Sequence, residues 1–392
     1  MSGDAFENVL GQPKVRDFLR TSVQQDRVSQ AYLFCGPAGS NKTTAAFALA
    51  QAVLCPKGPK GPRGGACGDC DCCSRIARRT HPDVHYYAPE GAGGYLVEQI
   101  RDIVADVALA PIQASRKFYI LDRVDLLGTQ AANAFLKTLE EPPDDVVMVL
   151  LARTRESVLP TVVSRCQVVP FRSIPESEAV GIVVQNSGAS HEQARIALAA
   201  CDGSLTRAVD FLRSNERLQF RKGVLEVMGR LREADDWDLL GFASKLVVDA
   251  KAPLDEVRIQ QERELEENAD FLAKSAIRQI EARNKRELSA RTSESLRQLS
   301  SIARSWLRDV LVVCANTPEL VVNVDARAAI EEAAGHTDAG RVASALSAAD
   351  RCDEAISYNV SPETCIDAML LEMKCALYGE GESRRLGVSK DK

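Results

Sequence analysis

Nowhere in the 392 residues is there a run of about 18 uncharged apolar residues, so the chain offers no segment suited to cross a bilayer as a helix. The opening residues, Met1 to Phe6, have neither the basic start nor the apolar stretch of a secretory signal, and the expectation is a cytoplasmic protein. Positive charge is not in excess either. Lys and Arg number 49 against 55 Asp and Glu, giving a net charge of −6 and a pI near 5.5. That balance argues against a protein that coats DNA by itself and leaves room for a local patch or for DNA contact through a complex. No internal repeat stands out.

The composition is that of a globular protein: 45% hydrophobic and 27% charged. The length exceeds what one ordinary core organises and predicts two or three domains. Residues 1–172 read as α/β. Ala31 to Phe34, Phe118 to Leu121 and Val146 to Leu151 are continuous apolar runs with turn or charge signals at their ends, as expected of strands buried on both faces of a parallel sheet. Helical patterns over Lys42 to Val53 and Thr129 to Leu139 separate them, the second halted before Pro142 and Pro143. After about 173 the strand signal ends. Short helices are expected over Ser177 to Asn186 and His191 to Cys201, with a third opening at Gly203-Ser204, in a small lid domain over 173–215. An all-α domain over 216–378 follows. In it Leu296, Leu299, Ala303, Trp306, Leu307 and Val310 recur at spacings of three and four and form one apolar face. Asp255 to Arg291 carries dense charge of both signs with no Gly or Pro, suiting a solvated helix or helical hairpin. The tail 379–392 reads as disordered.

Two constellations carry chemistry. Gly36-Pro37-Ala38-Gly39-Ser40-Asn41-Lys42-Thr43 nearly matches the phosphate-binding pattern G-x-x-x-x-G-K-[ST] and lies between an expected strand and an expected helix. Backbone N–H groups of such a loop cradle phosphates, Lys42 neutralises them, and Thr43 is the candidate to ligate Mg²⁺. The candidate nucleotide-binding residues are therefore Gly36, Gly39, Asn41, Lys42, Thr43 and Thr44. Asn41 replaces the second glycine. Asn tolerates positive φ better than other side chains, so the loop can still form, with the amide close to where a phosphate would lie.

Asp122, at the end of a later strand, is the matching candidate for Mg²⁺. The next residue, where an ATPase of this kind carries the glutamate that orients the attacking water, is Arg123. A guanidinium neither accepts a proton nor acts as a base. Asp125, three residues on, is the other acidic candidate for that role.

Cys67-x-x-Cys70-x-x-Cys73, with Cys55 twelve residues before Cys67, supplies four soft ligands suited to a closed structural Zn²⁺ site. Cys72 is a fifth thiol in the cluster, and His81 and His85 lie close enough in sequence to replace one ligand. A redox pair or free surface thiols are the other readings of the cluster.

The order of these parts resembles the bacterial clamp-loader family, of AAA+ type. Phe6 to Gln12 (FENVLGQ) is similar to the family's opening segment. The phosphate loop, the cysteine module after its helix, Asn133 to Pro143 (NAFLKTLEEPP) and Leu159 to Cys166 (LPTVVSRC) then follow in the family's order. The resemblance is close over 6–172, looser to about 215, and architectural beyond. It implies a hetero-pentamer with motor (gamma/tau) and delta subunits that uses ATP to load a sliding clamp onto primed DNA, within the DNA polymerase III holoenzyme, a DNA-directed DNA polymerase and nucleotidyltransferase. It also implies that Arg165 acts in trans, reaching a neighbouring subunit's ATP site. The lid segment Gly203-Ser204-Leu205-Thr206 is similar to the motor subunits' sensor motif, with Thr206 where they carry arginine. Asn41, Arg123 and Thr206 are altered while Arg165 and the cysteines remain. That combination resembles the delta-prime type, with ATP and Mg²⁺ at most at a degenerate site and little intrinsic ATPase. The other readings are a motor subunit of the same complex and a zinc-stabilised P-loop scaffold outside replication.

Overall fold

A computed structural model of the chain describes residues 4–58, 65–90, 94–268, 274–357 and 360–379. The chain divides into two compact units, Met1–Arg213 and Ser214–Lys392.

The first unit is built on a parallel sheet. Its elements are α1 (Pro13–Gln24), β1 (Ala31–Cys35), α2 (Lys42–Leu54), α3 (Asp71–Ala77), β2 (Val84–Tyr87), α4 (Val97–Val107), β3 (Lys117–Leu121), α5 (Thr129–Glu140), β4 (Val146–Ala152), α6 (Pro160–Val163) and β5 (Gln167–Pro170). Among the described residues the strands lie in the order β2-β3-β4-β1-β5, all parallel, so consecutive strands are joined by crossovers. This is the parallel α/β architecture expected. Every residue of β1, β3 and β4 is buried. Tyr32, Phe34, Val147 and Val149 join the core under α2, while Leu33, Cys35, Met148 and Leu150 join the core under α4 and α5. The two-residue period of a strand divides one apolar run between two cores, which is why these runs show no polar alternation.

Three helices complete the unit: α7 (Glu176–Ser187), α8 (His191–Ala200) and α9 (Leu205–Arg213). Ser190 caps α8 in a reciprocal capping box with Gln193. The α9 helix buries Leu205, Ala208, Val209 and Phe211.

The second unit is helical among the described residues. It comprises α10 (Asn215–Arg230), α11 (Asp236–Asn268), α12 (Lys274–Cys314), α13 (Arg327–Ala334), α14 (Ala339–Ser357) and α15 (Pro362–Tyr378). Leu296, Leu299, Ala303, Trp306, Leu307 and Val310 are all buried along α12. A buried polar network ties this unit together. Arg221 donates to Asn323 Oδ1 at 2.7 Å and pairs with Asp325, and Asp309 accepts the backbone N–H groups of Val322 and Asn323 at 3.0 and 2.7 Å. The charged stretch 255–291 falls on α11 and α12, two long helices packed on each other, with 269–273 between them outside the described residues. The tail 380–392 also lies outside them. No helix among the described residues is long and apolar enough to cross a membrane.

Candidate functional site

The phosphate loop runs from the end of β1 into α2. A side chain at Gly36 would place its Cβ 2.6 Å from the Phe171 carbonyl oxygen, so the close approach there requires glycine. Asn41 takes the left-handed conformation, φ 66° and ψ 25°, in the position of the absent glycine. Its amide is held by specific partners. Nδ2 donates to the Leu10 carbonyl at 2.9 Å, and Oδ1 accepts from the Thr206 hydroxyl at 3.2 Å. Thr206 Oγ1 also lies 3.5 Å from Thr44 Oγ1, so the first turn of α9 is fastened to the loop and to the first turn of α2. A Cβ at Gly39 would lie 2.8 Å from the Gly203 carbonyl oxygen, an equally close approach of α9's lead-in to the loop.

Lys42 turns its ammonium onto the loop itself, donating to the carbonyls of Gly36 at 2.5 Å and Pro37 at 2.7 Å. Burial pulls its pKa down, and the Asp122 carboxylate acts in the opposite sense. Thr43 sits beside Lys42 in the first turn of α2, where backbone N–H groups point out of the helix.

Asp122 follows β3 and is engaged on both oxygens: Tyr86 Oη donates to Oδ2 at 2.7 Å and the Arg123 N–H to Oδ1 at 2.9 Å. Tyr95 Oη donates to the Asp122 carbonyl at 2.6 Å. Arg123 has φ 52° and caps the 3₁₀ turn Val124–Leu126, which carries Asp125 off the line of the strand. The carboxylate at the end of β3 therefore has a guanidinium-bearing residue, and no second carboxylate, as its immediate neighbour. Beside Gly36, at the carboxyl ends of β1 and β4, a cavity of about 510 Å³ is lined by Arg153, Thr154, Arg155 and Glu156 among others. Sequence reasoning missed these two arginines; a basic pair immediately after an apolar strand at the sheet's carboxyl edge was the available signal.

The cysteines come together at the far end of α2. Cys55 follows its last residue, Cys70 caps α3, and Cys73 lies within α3. The Sγ atoms of Cys55, Cys67, Cys70 and Cys73 all lie within 4.8 Å of one another, with Cys55–Cys67 at 3.6 Å, Cys55–Cys70 at 3.9 Å and Cys67–Cys73 at 3.9 Å. A tetrahedron of thiolates around Zn²⁺, with bonds of about 2.3 Å, has edges of about 3.8 Å, so the donor set fits such an ion. Cys72 points elsewhere, toward the Leu54 carbonyl at 3.4 Å, and burial pushes its thiol up to about 11. His81 and His85 stay out of the cluster: the first accepts from the Asp83 N–H at 3.2 Å and the second stacks on Tyr119 at 4.9 Å. Residues 59–64 of the intervening loop lie outside the described residues. Just past α3, Arg79 lies over the rings of Phe47 on α2 and Tyr86 on β2, at 5.1 and 5.3 Å. The cysteine module thus leans on the tyrosine that holds Asp122.

Arg165 stands two residues after α6. Its guanidinium pairs with Glu140 at the end of α5 and donates to the Thr161 carbonyl at 2.8 Å. Among its described contacts none is with residues 36–44. The structure thus gathers Gly36, Gly39, Asn41, Lys42, Thr43 and Thr44 in one loop-and-helix unit, the four cysteines in another, and sets Arg165 apart.

Residues 11–175 match the family described as DNA polymerase III, delta subunit. The DNA polymerase III subunit delta' of Bacillus subtilis is 31% identical over 216 residues, covering 55% of this chain and 64% of that protein. Subunit tau of the same organism is 34% identical over 227 residues, covering 57% of this chain and 39% of that one. The matched part is less than two thirds of the length of either relative. Among solved structures, a DNA polymerase III gamma subunit-related protein from Thermotoga maritima has a TM-score of 0.43 at 18% identity, covering 91% of this chain and 99% of that one.

Proposed function

We propose that this chain, similar over residues 11–175 to the family described as DNA polymerase III, delta subunit, is a delta-prime-type clamp-loader subunit: a partner in ATP-driven clamp loading rather than a motor. The observation that carries the reading is Arg123 beside Asp122. With a guanidinium where a water-orienting carboxylate is needed, the loop is suited to hold a phosphate but not to turn it over. Asn41 and Thr206 support it, since both occupy the loop's edge with hydrogen bonds of their own.

In this reading Arg165 serves a neighbour's nucleotide, Zn²⁺ on the four thiolates is a structural ion that pins the end of α2, and the helical unit after residue 213 is the collar joining motor and delta subunits in a cytoplasmic hetero-pentamer. Sliding clamp and primed DNA are met through that complex. The likeness to subunit tau favours a second reading, an ATP-hydrolysing motor, against which Arg123 stands. Reconstitution with the motor and delta subunits of the same genome, followed by a clamp-loading assay, tests the proposal. Loading should require this chain and should survive Lys42→Ala in it. Loss of loading with Lys42→Ala in a well-assembled ring would favour the motor reading.

A further inference from the structure

The Arg165 guanidinium is already engaged in the single chain. Nη2 pairs with the Glu140 carboxylate, and Nη1 donates to the Thr161 carbonyl at 2.8 Å with Ser164 Oγ at 3.4 Å. Nε is buried without a hydrogen-bond partner among the described residues. The Nη2 edge faces a side-chain partner that can be exchanged, since the Glu140 side chain is 52% exposed and that of Arg165 27%.

Glu140 is also electrostatically out of place. It is the last residue of α5, where unpaired carbonyls carry partial negative charge, and a helix end of that kind favours cations. A second acid, Glu141, follows it, and Pro142 and Pro143 close off any continuation of the helix. The carboxylate at this end is compensated by Arg165. An exposed pair of this kind is weak. A phosphate offers the same guanidinium more charge than a carboxylate does.

We propose that Glu140 is the resting partner of Arg165, a positioning residue that holds and neutralises the guanidinium until a phosphate of a neighbouring subunit's nucleotide takes over the Nη2 edge. The proposal rests on the in-trans reading of Arg165. It makes Glu140 a brake: removing its charge while keeping its shape should ease engagement with the neighbour, by roughly two- to five-fold for a pair this exposed.

The experiment titrates this chain into the motor and delta subunits at fixed ATP and reads the concentration giving half-maximal clamp- and DNA-stimulated ATPase. Glu140→Gln should lower that concentration roughly two- to five-fold, Glu140→Asp should stay near wild type, and the Glu140→Gln effect should vanish in an Arg165→Ala background. Glu140→Ala is a second neutral variant if Glu140→Gln melts below wild type. If Arg165→Ala depresses the ATPase while Glu140→Gln leaves the titration unchanged or shifts it upward, the brake is wrong and the in-trans arginine stands. If Arg165→Ala matches wild type, both fall together.

Discussion

Thr206 donates its hydroxyl to Asn41 Oδ1 at 3.2 Å, a bond between residues 165 positions apart that ties the first turn of α9 to the phosphate loop. Asn41 is there in the left-handed region, at φ 66°, so two separable properties meet in one side chain: tolerance of that backbone and a bridging amide.

The two can be told apart by substitution. Asn41→Gly loses the bonds to Leu10 and Thr206 but keeps the backbone relaxed. Asn41→Ala loses the bonds and strains the backbone as well, and should be less stable than Asn41→Gly by about 1 kcal/mol or more. Urea unfolding of the two variants measures this; equal stabilities would mean that the amide's bonds alone matter at this position.

Metal content tests the cysteine cluster. The four Sγ atoms lie within 4.8 Å of one another while Cys72 faces the Leu54 carbonyl. Elemental analysis should return about one zinc per chain on the four-thiolate model. Cys72→Ser should keep it and Cys70→Ser should lose it. Because Cys55 ends α2 and Gln51 donates to the Cys73 carbonyl at 2.8 Å, a chelator should also lower the melting temperature. A metal-free preparation that melts like the native one would remove zinc from the account.

Much of this was legible beforehand, and the reasons are physical. Strands covered on both faces leave unbroken apolar runs, so β1, β3 and β4 stand out in the sequence. The four-residue strands β2 and β5 do not: β2 carries His85 and two tyrosines, and β5 opens on Gln167, closes on Pro170 and is only partly buried. Glycine and lysine spacing announced the phosphate loop. The partners of Asn41 come from Leu10 and Thr206 and that of Asp122 from Tyr86, so no local pattern can reveal them. Likewise the Ser-Arg-Cys string marks Arg165, but its pairing with Glu140 is a tertiary contact 25 positions away.

Isolated, the chain should hydrolyse ATP negligibly. Asp122 has both oxygens engaged by Tyr86 and the Arg123 N–H, and the residue that follows it is Arg123, which cannot orient water as a base. Steady-state phosphate release from the purified chain measures this. Turnover at the level of a competent motor, abolished by Asp122→Asn, would contradict the assignment of Arg123.

Arg165 is the residue on which the proposed role turns. Its described contacts are with Glu140, Thr161 and Ser164 and none is with residues 36–44, an arrangement compatible with the proposed action on another subunit's phosphate. An arginine supplied in trans can be worth roughly 10³–10⁵ in rate where it is the main stabiliser of transition-state charge. In a ring with several sites the loss should be smaller, because other interfaces keep their own arginines. Arg165→Ala should leave folding, zinc content and assembly intact, since the exposed pair it removes contributes about 0–1 kcal/mol. It should depress the DNA- and clamp-stimulated ATPase of the assembled complex, and clamp loading with it. Arg165→Lys should restore little, because an ammonium is a point charge and cannot offer the planar fork that binds two oxygens at once. Steady-state rates of complexes differing only at residue 165 decide the matter: equal rates for wild type and Arg165→Ala would make this arginine a surface residue paired with Glu140 and nothing more.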